Sequence, residues 1–192
     1  GIIAQNNPPY AIENGDTVRF IVLSITGQSF IGENEMSNGA KDLIARGIRI
    51  DADHIYVTGL SAGARSTVGY ISHQDASNYQ RVAAAVPMSY TLTVDEMDGG
   101  YWVGSFSNFA GKGVWAFTGK DDVHTDVATA LVDSINIHSP GNGRLTVYPG
   151  GHCCWMTYYD PKYRESVNGK MMNIYEWMLQ YSTTGNSVPP PA

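Results

Sequence analysis

The sequence predicts an α/β fold, with a mostly parallel sheet that has helices on both of its faces. Short apolar runs rich in β-branched residues alternate along the chain with segments of helical periodicity. The length of 192 residues and the 43% of hydrophobic residues suit one domain with a single core. We expect that domain to be residues 1–181. Residues 182–192 lack periodicity and contain three consecutive prolines, so we expect a tail or linker that joins other domains of a longer chain.

The apolar runs and the helical segments alternate in a regular order. The predicted strands are residues 19–25, 54–58, 82–88, 113–118 and 144–148. The predicted helices are residues 35–47, 62–73, 126–137 and 171–181, the first of which ends at a glycine. We expect the first run, 19–25, to be a buried strand, and the last helix to present its apolar side chains on one face.

The charge and the cysteines exclude several classes of function. A formal net charge of -6 disfavours binding to nucleic acid or to anionic membranes, and no apolar stretch approaches the ~20 residues of a membrane span. The only cysteines, Cys153 and Cys154, are adjacent, which excludes a disulfide framework. We expect them to be small buried thiols. Nothing near them completes a metal site, and no cofactor is predicted.

The turn after the second predicted strand carries the motif G-x-S-x-G over residues 59–63. Active sites in parallel sheets lie at the carboxyl ends of the strands. A sharp turn between a strand and a helix exposes the serine oxygen, here that of Ser61, and glycines on either side let the backbone approach closely. The N–H of Ala62, at the start of a helix, is placed to donate to an oxyanion. Ser61 is the predicted nucleophile.

A carboxylate follows the strand that ends near residue 118. The sequence there offers two, Asp121 and Asp122, and a serine nucleophile needs a base that such a carboxylate orients. We prefer Asp122 because the acid usually lies three residues beyond the glycine of this turn. Asp121 stays an alternative, and either residue also suits a turn or a helix cap.

A histidine follows the last predicted strand. His152 comes directly after Gly150 and Gly151, and it completes the order serine, acid, histidine along the chain. His124 is the competing candidate, but it lies beside the proposed acid rather than downstream of it. His152 is therefore the predicted base.

These segments resemble a known family. Residues 53–64, 114–119 and 151–155, with the final segments 159–161 and 173–179, resemble secreted esterases and polyhydroxybutyrate-depolymerase-like α/β-hydrolases, which include feruloyl and acetylxylan esterases. The resemblance implies the α/β-hydrolase fold, a secreted protein, and an ester substrate that is small or linked to a carbohydrate. The family carries an upstream loop rich in histidine and glycine that supplies a second oxyanion donor. The sequence shows no such loop, so we expect the fold to lack its N-terminal strands.

The predicted activity is ester hydrolysis through an acyl-enzyme, with Ser61 as nucleophile, His152 as base and Asp122 as the orienting acid. Trp102 and Trp155, with Tyr101 and Phe106, are candidates for the substrate pocket, although Trp155 can equally brace the loop of the base. Two alternatives stay open: a degenerate hydrolase module that only binds, and a serine peptidase or amidase that uses the same three residues.

Overall fold

The structure is a computed structural model that describes residues 9–25, 33–72, 82–92 and 105–184, with the side chains of the second range from residue 36 onward. Its strands, in chain order, are β1 (Tyr10–Glu13), β2 (Asp16–Arg19), β3 (Ile55–Leu60), β4 (Val82–Met88), β5 (Gly113–Gly119), β6 (Gly143–Tyr148), β7 (Glu165–Val167) and β8 (Lys170–Met172). Its α-helices are α1 (Glu33–Ala45), α2 (Ala62–Ser72), α3 (Thr125–His138), α4 (Trp155–Tyr159) and α5 (Ile174–Met178).

Four of these strands form one parallel sheet in the order β3-β4-β5-β6. Every residue of β4 and β5 is buried, as expected for the central strands of a sheet that is covered on both faces. The strands β1 and β2 form one antiparallel hairpin, and β7 and β8 form another. The sheet and its helices confirm the predicted α/β class.

Two apolar clusters cover the two faces of the sheet. The first includes Trp115 and Phe117 of β5 and contains the side chains of α5, where Trp177 meets Trp115 edge-on at 5.4 Å between ring centroids. The second includes Val114 and gathers apolar side chains of α2 and α3, among them the fully buried Leu131. Alternate residues of one strand thus point to opposite clusters. None of the helices within the described residues is long and apolar enough to span a membrane.

Two predicted elements are wrong. Residues 20–25 are not a strand: the strand β2 ends at Arg19, and Ile21, Val22 and Leu23 are exposed. An apolar run becomes a buried strand only where neighbouring strands accept its backbone hydrogen bonds, and within the described residues the hairpin β1–β2 ends before this run begins. The predicted helix 171–181 is shorter and begins later.

The last helix begins at a cap that its sequence contains. The side chain of Asn173 accepts a hydrogen bond from the backbone N–H of Glu176, and the Glu176 side chain accepts one from the N–H of Asn173. This capping box starts α5 at Ile174, and Met171 lies in β8 instead. The other predicted strands and helices agree with the structure to within one or two residues over its described part. Of the predicted tail, residues 185–192 lie outside the described residues.

Candidate active site

Ser61 lies at a sharp bend between β3 and α2. Its φ of 53° is in the left-handed region, which costs a non-glycine residue roughly 1 kcal/mol. The N–H of Ser61 donates to the carbonyl of Met88, at the end of the neighbouring strand, at 2.9 Å. A Cβ atom on Gly59 would lie 2.4 Å from the carbonyl oxygen of Gly63, so the bend requires glycine at position 59. A Cβ on Gly63 would meet nothing within 4 Å, so that position does not require glycine for space.

A continuous chain of hydrogen bonds joins the three predicted residues. The Nε2 atom of His152 lies 2.9 Å from the Oγ atom of Ser61, and its Nδ1 atom lies 2.8 Å from an oxygen of Asp122. An ionised carboxylate only accepts hydrogen bonds, so Nδ1 carries the proton and donates it. Nε2 of the neutral ring is then an acceptor, and the Ser61 hydroxyl donates to it. This is the arrangement in which an imidazole can remove the serine proton.

The two neighbouring aspartates differ in their surroundings. The side chain of Asp122 is fully buried and contacts His152. The side chain of Asp121 is 61% exposed and pairs with Lys120 at 2.9 Å. The structure thus places Asp122, and not Asp121, against the imidazole.

Asp122 is held in its ionised form. Burial raises the pKa of this carboxyl, but hydrogen bonds from the backbone N–H of His124, from His152 and from the hydroxyl of Ser89 outweigh it, and the pKa is lowered below its ordinary value. The His124 N–H donates to Oδ1 at 3.0 Å, so both carboxylate oxygens have donors. A carboxyl with a lowered pKa stays charged over the whole pH range in which a neighbouring imidazole is neutral.

The loop that carries His152 packs closely against the end of β5. A Cβ on Gly119 would lie 2.3 Å from the carbonyl oxygen of Gly151 and 2.4 Å from that of Gly150. The N–H of Asp121 donates to the Gly150 carbonyl at 2.9 Å, and Gly150 itself has a φ of 130° that side chains rarely allow. The glycines on both sides therefore set the distance between the acid and the histidine.

The adjacent cysteines correct an expectation. A disulfide bond joins Cys153 to Cys154, whereas the sequence predicts buried thiols. Cys154 has a φ of 71°, in the left-handed region, and precedes the first residue of α4, so the chain turns sharply there. The carbonyl of Cys153 accepts a hydrogen bond from the hydroxyl of Tyr148 at 2.7 Å, which holds this loop against the end of β6.

The other predicted residues occupy different places. Ala62 is exposed and is the first residue of α2, so its N–H has no partner within the helix. The ring of Trp155 meets that of His152 edge-on at 5.3 Å, and its indole N–H is hydrogen-bonded inside the protein. Phe106 is buried against His138, so it is not a pocket residue. Trp102 and Tyr101 lie outside the described residues.

A cavity of about 200 Å³ adjoins the hydroxyl of Ser61. Within the part of the chain that the structure describes, its lining carries one guanidinium group, two imidazoles and hydroxyls, and no carboxylate. The lining residues are Ser61, Ala62, Arg65, Thr91, His124 and His152.

Sequence reasoning missed three residues at this site: Arg65, its hydrogen-bond partner Thr91, and Ser89. Arg65 lies one helical turn beyond Ser61 and therefore on the same face of α2, and its Nε donates to the hydroxyl of Thr91 at 2.5 Å. The helical spacing was a signal that could have found it. Ser89 directly follows β4, at the same edge of the sheet as the three predicted loops, and the search for polar residues after each strand could have found it as well.

No family model matches the sequence, and no curated protein matches it. Several solved structures overlap with its fold, and the chain spans about half of their length. A variant of SOBER1 from Arabidopsis thaliana is 16% identical, with a TM-score of 0.46, over 64% of this chain and 55% of that one. An esterase from the fungus Rhizomucor miehei is 12% identical, with a TM-score of 0.47, over 64% and 51%. An S-formylglutathione hydrolase from Staphylococcus aureus is 17% identical, with a TM-score of 0.43, over 64% and 54%.

Proposed function

We propose that this chain is a serine esterase of the α/β-hydrolase type. The observation that carries the proposal is the hydrogen-bonded chain from Ser61 through His152 to the buried, charged Asp122, beside a cavity. His152 takes the hydroxyl proton as the Ser61 oxygen attacks the ester carbonyl, and Asp122 fixes the tautomer of the ring and stabilises its charged form. The leaving alcohol takes the proton from His152. Water then hydrolyses the acyl-enzyme by the same steps in reverse.

The oxyanion of this reaction forms beside the N-terminus of α2. The N–H of Ala62 is one of the helix's unused donors, and the positive end of the helix dipole favours a negative charge there. We propose Ala62 as one oxyanion donor. Residues that supply a second donor are not assigned within the described part of the chain.

The cavity supports a small ester as the substrate. A volume of about 200 Å³ suits a short acyl group and a modest alcohol rather than a long fatty chain. The guanidinium of Arg65 and the hydroxyl of Thr91 can donate to polar groups, which fits a carbohydrate-linked ester. Esters are favoured over amides because an amine leaves only when it is protonated efficiently. We also propose that the protein is secreted, and the disulfide supports this because disulfides persist in oxidising environments.

The test compares Ser61→Ala with the wild type on p-nitrophenyl acetate and with a fluorophosphonate probe. We expect the wild type to turn over the ester and to bind the probe covalently, and the variant to do neither. Ser166→Ala is the matched control, because Ser166 is exposed in β7 and its hydroxyl makes no hydrogen bond to any residue that the structure describes. It should behave as the wild type does. A wild type that does not react with the probe would indicate a binding module, and faster turnover of an anilide than of the ester would indicate an amidase.

A further inference from the structure

The end of β4 contacts the loops of all three proposed catalytic residues. The carbonyl of Met88 accepts from the N–H of Ser61 at 2.9 Å, and the N–H of Ser89 donates to the carbonyl of Phe117 at 2.7 Å, near the end of the strand that leads to the acid. The Oγ atom of Ser89 accepts from the indole N–H of Trp155, in the helix after the histidine, at 3.0 Å. Met88 and Ser89, two consecutive residues, together therefore connect the segments that carry the three proposed catalytic residues.

Ser89 is buried and has an unfavourable backbone conformation. It is 0% exposed and has a φ of 52°, in the left-handed region that non-glycine residues rarely adopt. Such conformations persist only where the surroundings hold them, and they cluster at functional sites. Glycine adopts positive φ without the steric cost that serine has in this conformation. The serine side chain makes a hydrogen bond here that glycine would lack, from the indole N–H of Trp155.

The hydroxyl of Ser89 has a donor role and an acceptor role. A hydrogen bond from Ser89 is among the causes that lower the pKa of Asp122, and an ionised carboxylate only accepts, so the Ser89 hydroxyl directs its hydrogen toward that carboxylate. The same Oγ atom lies 3.4 Å from the hydroxyl of Tyr148. The lone pairs of the same oxygen receive the indole N–H of Trp155. Trp155 in turn meets the His152 ring edge-on. One hydroxyl thus acts on the charge of the acid and, through one aromatic side chain, on the position of the base.

We propose that Ser89 is a positioning residue for the reaction proposed above. Its hydroxyl orients the Asp122 carboxylate toward His152, and through Trp155 it fixes the ring that accepts the Ser61 proton. Ser89 does not touch the substrate, since the cavity beside Ser61 is lined by other residues. This inference rests on the proposed esterase function, because it assigns a role within the same site.

The charged and titratable groups around Asp122 determine how removal of the Ser89 hydroxyl changes the pH dependence of activity. His152 faces it from the histidine loop, Tyr148 from the end of β6, and His124 from the start of α3. Burial raises the pKa of Tyr148, so this phenol is neutral at working pH. Without the Ser89 donor, Asp122 loses one of the hydrogen bonds that lower its pKa, so this carboxyl is protonated more readily as the pH falls. We therefore expect the acidic limb of activity to move to higher pH.

The experiment compares Ser89→Ala, Ser89→Gly and Ser72→Ala with the wild type on p-nitrophenyl acetate. Ser72 is the matched control: it is also 0% exposed, and its hydroxyl bonds the Gly69 carbonyl within α2, away from the site. We expect both Ser89 variants to lose about tenfold to a hundredfold in kcat, with KM unchanged within about twofold. The acidic limb of kcat/KM should move up by about half a pH unit or more.

The results distinguish a positioning role of Ser89 from a purely structural one. A purely structural role predicts that Ser89→Ala lowers activity equally at every pH and that Ser89→Gly, which relieves the backbone, restores it; that result overturns the proposal. Wild-type kcat and an unmoved pH profile in both variants overturn it as well. Thermal melts separate loss of folding from loss of activity, and the Ser61 probe reports folded active sites. If the wild type itself does not label with the probe, the esterase proposal fails, and the positioning role fails with it.

Discussion

The contact between Gly119 and the histidine loop gives the sharpest prediction for the site. Replacing Gly119 by alanine adds one Cβ atom, and the backbone conformation permits it because φ is not positive at this residue. The new atom would lie 2.3 Å from the Gly151 oxygen, whereas an ordinary contact begins at 3.4 Å. The loop must therefore retreat by about 1 Å, since both obstructing atoms are backbone and cannot rotate away.

This displacement acts directly on the base. His152 follows Gly151, so a retreat of about 1 Å would lengthen the 2.9 Å contact between Nε2 and the Ser61 oxygen beyond hydrogen-bonding distance. A misplacement of this size costs on the order of 10²-fold in rate, and overpacking costs about 1–3 kcal/mol in the free energy of unfolding. We expect Gly119→Ala to fold, to melt several degrees lower and to lose about 10²-fold in kcat/KM.

The assay measures kcat/KM on p-nitrophenyl acetate, the rate of fluorophosphonate labelling and the thermal melt for the same preparations. Gly63→Ala is the matched comparison, because a Cβ there meets nothing within 4 Å and alanine is the better helix former by about 1 kcal/mol. It should keep activity and melt at the same or a higher temperature. Wild-type kcat/KM in folded Gly119→Ala would refute the reasoning, because the loop would then not control the position of the imidazole.

Two further predictions follow from buried charges. Asp122→Asn should lower kcat by roughly 10³-fold to 10⁴-fold, because the amide holds the wrong imidazole tautomer, while Asp121→Asn should stay near the wild type; equal losses in the two variants would contradict the assignment of the acid. Burial lowers the pKa of Lys112 to about 8, and among the described residues its ammonium donates to the carbonyl of Ile71 alone. Because the pKa of Lys112 in the folded protein lies below its ordinary value, the charged ammonium destabilises the folded state. This loss of stability is complete below pH ~8 and disappears as the pH rises to ~10.4. Lys112→Met should therefore be more stable than the wild type by about 1 kcal/mol at pH 7 in urea unfolding, and a difference that does not shrink at pH 10 would contradict this.

Two hairpins have clear local signals in the sequence. Asn14-Gly15 and Asn168-Gly169 each connect two short strands, and all four residues have positive φ, between 51° and 88°. Asn-Gly between strands is the strongest short-range signal for a two-residue hairpin, so β1–β2 and β7–β8 were predictable. The capping box that begins α5 was equally visible, as an asparagine three residues before a glutamate.

Other features depend on tertiary contacts that local patterns do not encode. The run 20–25 has the composition of a buried strand, and only the absence of pairing within the described residues makes it irregular. The disulfide between Cys153 and Cys154 occurs where Cys154 has a left-handed backbone conformation, which the sequence does not reveal because cysteine has no preference for that conformation. Ser89 was overlooked because a serine after a strand is most often a turn residue, and its role is visible only from the three loops around it.

The proposed site was predictable although several outer elements were not, and the register of the sheet explains the difference. Past the strand ends, the ladder continues with a hydrogen bond from Ser61 N–H to Met88, from Ser89 N–H to Phe117 and from Lys120 N–H to Tyr148. Each of these donors is the first residue after its strand, and each acceptor lies on the next strand of the sheet. The relative heights of the three loops are therefore fixed by the pairing of β3, β4, β5 and β6, which are long or fully buried and easily recognised in the sequence. The short hairpins and the final helix do not take part in this ladder, so errors in predicting them leave the positions of the nucleophile, the acid and the base unchanged.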